Sequence, residues 1–80
     1  MAFELYKDVI LTTDLPEHGL CTGDIGTVVE RHVVSGKEDG YSIEFFDLTG
    51  RTVAVVTVSE THIRQPNSSD RPSARTPVKT

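Results

Sequence analysis

The stretch Arg51-Thr52-Val53-Ala54-Val55-Val56-Thr57-Val58 constrains the fold more than any other part of this chain. From Thr52 to Val58 every residue except Ala54 is β-branched. Such side chains lose rotamer freedom in a helix and fit the pleated surface of a sheet, so the run predicts a strand, placed at the centre of its sheet. The bias extends to the whole chain, where ten Val and four Ile stand against five Leu and three Ala. Eighty residues leave room for one domain with a thin core, because a chain this short buries only about 60% of its unfolded surface. An all-β domain without a deep enclosed cavity is the expectation.

Asp8 to Thr13 is a second β-rich run, stopped by the turn-forming cluster Asp14-Leu15-Pro16-Glu17-His18-Gly19. Gly23-Asp24 opens a third run, Ile25 to Val34, in which apolar pairs at 28/29 and 33/34 replace clean alternation and predict a bent strand. Ser35 to Gly40 is polar, carries two glycines and reads as a hairpin tip. In the next run Tyr41, Ile43 and Phe45 alternate with Ser42, Glu44 and Phe46, the period-two signature of a half-buried strand, which puts Phe46 on the solvent side. Val28, Ile43, Phe45 and Val55 are the expected core. Asp47-Leu48-Thr49-Gly50 turns the chain into the run from Arg51 to Val58. Ser59 then suits the cap of a single helical turn with Glu60 at its positive end, and Ile63-Arg64 closes a short last strand. Four to five strands joined by hairpins, with one helical turn before the last, match a small SH3-like barrel, which removes the open edges of a flat sheet; an open meander competes with it. All six glycines flank expected turns, where positive φ is useful.

The residues Asp8-Val9, Leu11-Thr12, Asp14-Leu15-Pro16-Glu17, Gly19-Leu20, Gly23-Asp24 and Gly26-Thr27-Val28-Val29-Glu30, followed by Tyr41, Ile43-Glu44-Phe45 and Gly50 to Ala54, form a pattern over roughly residues 5 to 65. That pattern resembles a family of short bacterial proteins of unassigned function. The resemblance implies an SH3-like barrel and no particular activity. Gly23 to Val28 is also similar to a brief glycine-bearing motif of ribosome- and transcription-associated barrels, a pattern that recurs in many small barrels.

Charge divides the chain in two. Residues 1–65 carry five Lys/Arg against eleven Asp/Glu, a net charge of −6, whereas residues 66–80 carry Arg71, Arg75 and Lys79 against Asp70. The latter segment holds three prolines and three serines, with only Ala74 and Val78 apolar, so it is expected to be a disordered basic tail that adds nothing to the fold of 1–65. The single Cys21 has no partner for an internal disulfide, no N-terminal segment resembles a signal peptide and no apolar run approaches membrane-spanning length, so a cytoplasmic location is expected.

Chemistry-bearing constellations are sparse. His18 and Cys21 are spaced as half of a zinc site, with only His32 and His62 left to complete it, and structural zinc usually brings two close pairs; no metal or other cofactor is expected. Cys21 with His18 as a nucleophile and base would need an oxyanion donor set and a pocket. The acidic pairs Asp14 with Glu17, Asp24 with Glu30 and Glu44 with Asp47 would need burial to separate their pKa values. No enzymatic activity is expected. A nucleotide-binding loop is excluded at Gly26, where the sequence enters a strand with no lysine and no following helix. Nucleic-acid binding requires a basic groove, and the acidic body repels phosphate; it is the alternative reading, carried by the tail. The leading expectation is a protein-interaction module whose acidic surface meets a basic protein, with Asp14, Glu17, His18 and Asp24 steering by charge and Phe46 as an apolar anchor.

Overall fold

The computed structural model describes residues 3–71. Five antiparallel strands are present, β1 (Asp8–Leu11), β2 (Ile25–His32), β3 (Gly40–Phe46), β4 (Thr52–Ser59) and β5 (Ile63–Arg64). They form one sheet in the order β4-β3-β2-β1-β5. The chain passes from one edge strand to the other through a single 3-10 turn, Glu60–His62, capped as expected by the Ser59 side chain, which accepts from the Thr61 amide. Joining its own edges through so short a turn forces the sheet to curl, giving the half-barrel of a small SH3-like domain.

β3 organises the core. Its inward row Tyr41, Ile43 and Phe45 stands opposite Val58, Val56 and Ala54 of β4 on one side and Arg31, Val28 and Gly26 of β2 on the other. Phe3, Val9, Leu11, Leu20 and Ile63 complete the buried cluster. The Tyr41 ring meets Phe3 edge to face at 5.4 Å, and its hydroxyl accepts from the Phe3 amide at 3.0 Å, so the buried oxygen is satisfied. A bulge at Val29 bends β2, as its doubled apolar pairs predict, but the strand ends at His32 and leaves Val33 and Val34 exposed.

Three expectations are corrected here. β4 is an edge strand, because β5 returns to pair with β1 and not with β4. Val55 is 57% exposed, since its register opposite Glu44 turns it outward; Val56 and Val58 are the buried valines of that strand. Gly26 flanks no turn: it lies inside β2 under the core, where an added Cβ would collide with Ile43 Cγ2 and come within 3.0 Å of the Phe45 ring. Positive φ does occur at Gly19, Gly23, Gly36 and Gly50.

Beyond β5 the described chain turns back toward β5. Asp70 accepts from both terminal nitrogens of Arg64 (2.8 and 2.9 Å) and from the Asn67 amide (2.7 Å), closing a turn back onto the sheet. Composition does not reveal such bidentate pairing, and from residue 72 on the expected disordered tail of 66–80 lies outside the described residues. Arg64 is the cross-strand neighbour of Ile10, a side chain only 2% exposed that stands outside the core cluster. The clasp therefore sits beside the one large apolar group of β1 that alternation directs away from the core.

In denaturant melts, Phe45→Ala is expected to cost about 3–5 kcal/mol and Gly26→Ala about 1–3 kcal/mol through overpacking, with Phe46→Ala far milder than either. Equal losses at Phe45 and Phe46 would contradict the register.

The clasp makes a separate prediction. Arg64 first, then the Asn67 amide, pull the Asp70 carboxyl from 3.8 down to about 2. A carboxyl depressed by folding contributes stability above its unfolded value and loses it as pH falls from there toward the folded one. Asp70→Asn is thus expected to flatten the acid dependence of stability between those two values, with a carboxyl NMR titration of the native chain centred near the lower. Truncation after Gln65, which removes Asp70, should abolish the same acid dependence, read in melts across that pH range.

Candidate functional site

β1 and β2 are joined by a long connection whose shape is set by backbone pairing. Leu15 and Leu20 exchange hydrogen bonds (2.9 and 3.1 Å) across the 3-10 turn Pro16–His18, and Leu20 is buried while Leu15 packs against the core. Pro16 starts the turn and Gly19, at φ 71°, ends it. Two of the carboxylates expected to meet a partner also hold this loop. Asp14 accepts from the Thr22 amide at 2.8 Å, and Asp24 accepts from the Cys21 amide at 2.9 Å. The Thr22 contact also holds the Asp14 carboxyl below its ordinary range. Glu17 and His18 sit exposed at the tip, and among the described residues their side chains make no hydrogen bond or ion pair.

The β3–β4 hairpin leaves the sheet at the same end, where Leu11, Ile25, Phe46 and Thr52 lie. Asp47 Oδ1 accepts from the Thr49 amide, the Thr49 hydroxyl and the Arg51 amide at 2.6–3.0 Å, an arrangement that fixes the turn and lowers the Asp47 pKa, the Thr49 hydroxyl first. The turn so held displays Leu48, 74% exposed, beside Phe46, 44% exposed. A bulge between Phe45 and Phe46 sets the second phenylalanine opposite Thr52 and leaves Val53 on the same outer side. Phe46, expected to face solvent, is thus joined at this sheet end by exposed Leu48, while Val53 and Val55 are exposed along β4. Sequence reasoning found only Phe46, because the valines of β4 are apolar at nearly every position and alternation says nothing about which of them face out.

One polar cluster was not anticipated. His32 Nε2 lies 2.8 Å from the Ser42 hydroxyl, which contacts the Thr57 hydroxyl at 2.9 Å, and Glu30 stands 3.7 Å from the same Nε2. A nucleophilic relay needs serine and carboxylate on opposite ring nitrogens. Here both approach one nitrogen, and the cluster forms a polar seam across the outer face of β2, β3 and β4. Cys21 is exposed, and among the described residues no three His, Cys, Asp or Glu side chains converge as a metal site. No helix among them is long and apolar enough to cross a membrane.

Because Asp14 holds a loop amide and Glu17 holds nothing, the two separate experimentally. Asp14→Ala is expected to speed hydrogen exchange at the Thr22 amide, whereas Glu17→Gln should leave loop exchange unchanged.

Comparison with known proteins agrees with this geometry in extent. The model of the family described as Domain of unknown function (DUF4926) matches residues 5–65, which takes in all five strands, the first loop and the hairpin. No curated protein and no solved structure matches the chain. With three quarters of its length inside that model, the chain belongs to the DUF4926 family.

Proposed function

We propose that this domain is a non-enzymatic protein-interaction module, an adaptor or neutralising partner in a bacterial cytoplasm that takes a basic protein at the end of the sheet carrying the first loop and the β3–β4 hairpin. The observation that carries this reading is the pairing of a rigidly held apolar group, Phe46 and Leu48, with an exposed acidic tip at Glu17 on the same sheet end. Apolar anchors supply most of an interface's binding energy, and surrounding charge selects the partner and speeds encounter. Of the five cations in residues 1–65, Arg31 is bound by Asp39 and Arg64 by Asp70, which leaves Lys7, Lys37 and Arg51 without an ion pair among the described residues, against a net charge of −6. His18, beside Glu17, adds a second polar contact, while Asp14 and Asp24 act by shaping the loop. An exposed single thiol fits a reducing compartment.

Proteins retained from the native host by the full chain, identified by mass spectrometry, test the reading. A basic protein should be among them, and its binding should weaken as salt rises. Phe46→Ser with Leu48→Ser is expected to weaken that binding about thirtyfold or more, and Glu17→Lys to slow association without changing Tm. Titration with single- and double-stranded DNA and RNA at low salt gives the opposing outcome. Micromolar binding of nucleic acid, lost when Arg71, Arg75 and Lys79 are replaced, would transfer the function to the tail.

A further inference from the structure

The two edges of the sheet are unlike. β5 is two residues long and runs directly into the Asp70 clasp. β4 is eight residues long, reads TVAVVTVS, and among the described residues has β3 as its one ladder partner. Edge strands expose a row of backbone donors and acceptors that invites another strand, and proteins blunt them with charge, proline, shortness or bulges. β4 has no charged residue and no proline, and its bulge lies at the very start, opposite Phe45 and Phe46. Val53 (52% exposed) and Val55 turn outward along the strand, together with the exposed Thr57.

We propose that β4 is a self-association edge, at which two copies of this chain join antiparallel about a two-fold axis perpendicular to the sheet. Such an axis keeps outward faces together, so paired residues share a face. Centred on Val55, the pairing sets Val55 against the partner's Val55 and Val53 against the partner's Thr57, all β-branched cross-strand neighbours of the kind that stabilise sheets. Charge at the strand ends agrees with this orientation. Arg51, which has no ion pair among the described residues, precedes β4, and Glu60 follows it. Antiparallel pairing brings each Arg51 beside the partner's Ser59 and Glu60, twice by symmetry. The acidic body does not oppose the arrangement at close range. Glu44, opposite Val55 on β3, would face the partner's Glu44 across three strand spacings, about 14 Å, beyond the screening length of about 8 Å at physiological salt. A basic partner strand fits less well, since β4 offers it no charge to recognise. The first loop, Phe46 and Leu48 stay outside this ladder, so the proposal goes beyond the partner site and does not depend on it.

Sedimentation equilibrium of the full chain is the test. An edge contact is a small interface, so a dissociation constant on the order of 50 µM is expected, little weakened by raising salt. Val55→Lys, which places two ammonium groups at the axis of a side chain already exposed, should weaken association tenfold or more while leaving the far-UV circular dichroism unchanged. Arg51→Glu should weaken it, and Arg51→Glu with Glu60→Arg should restore it. In a Cys21→Ser background, Val55→Cys should oxidise to a covalent dimer, a readout that survives even where the lysine variant fails to fold. A native chain that stays monomeric at about 500 µM, tenfold above that constant, would overturn the proposal. So would a dimer indifferent to Val55→Lys, or β4 amides that gain exchange protection only when a basic protein is added.

Discussion

The inward row of β3 is the contact on which the rest of the domain depends. Tyr41, Ile43 and Phe45 pair across the sheet with both β2 and β4, so the same three side chains set the register of the two longest ladders and fill the core they enclose. That row closes down on β2 only because position 26 carries no Cβ, the space being taken by Ile43 and the Phe45 ring. The glycine is a packing requirement and not a turn device. Its φ is unremarkable, whereas four other glycines adopt positive φ in turns with nothing near their missing side chains.

The outer face is divided by the same register. Over β2 and β3 it is polar and internally bonded: Thr27 donates to Asp8, Thr52 to Glu44, and Ser42 joins His32 to Thr57. Bonded polar groups there have little to gain from exchanging partners. Over the hairpin and between Thr52 and Thr57 of β4 the face is apolar, with Phe46, Leu48, Val53 and Val55 in water. Contact with another molecule is therefore most favourable at this side of the half-barrel, where removal of apolar surface from water is unopposed by broken hydrogen bonds. The acidic loop and the apolar hairpin share one sheet end, while the β4 edge runs away from it, so a partner site and a self-association edge can coexist.

Much of the fold was legible because neighbouring signals agreed. Strict alternation from Tyr41 to Phe46 placed Phe45 in and Phe46 out, Ser59 capped its 3-10 turn, and Ile63-Arg64 formed the last strand. Legibility failed where one signal stood alone. From Thr52 to Val58 only the two threonines are polar, and they are as β-branched as the valines, so β-propensity announced a strand without saying which valines were buried. The loop carboxylates show a second limit: the charge of Asp14 and Asp24 is visible in sequence, but only the fold brings the amides of Thr22 and Cys21 to them.

Sequence by itself determined the class of this protein: an all-β chain of about five short strands, acidic in its body, with an outward aromatic at position 46. Those properties follow from local preference and period, which act over a few residues. Tertiary structure alone decided that β4 is an edge and not a centre, that Gly26 lies beneath Ile43 and Phe45, and that Asp70 reaches back to Arg64 beside Ile10. The position of Gly26 follows from the β2–β3 register, and the other two depend on which strand β5 joins. That choice is made between residues some fifty positions apart, Ile63 beside Leu11 and Arg64 beside Ile10, by the burial their pairing achieves, and no local pattern encodes it.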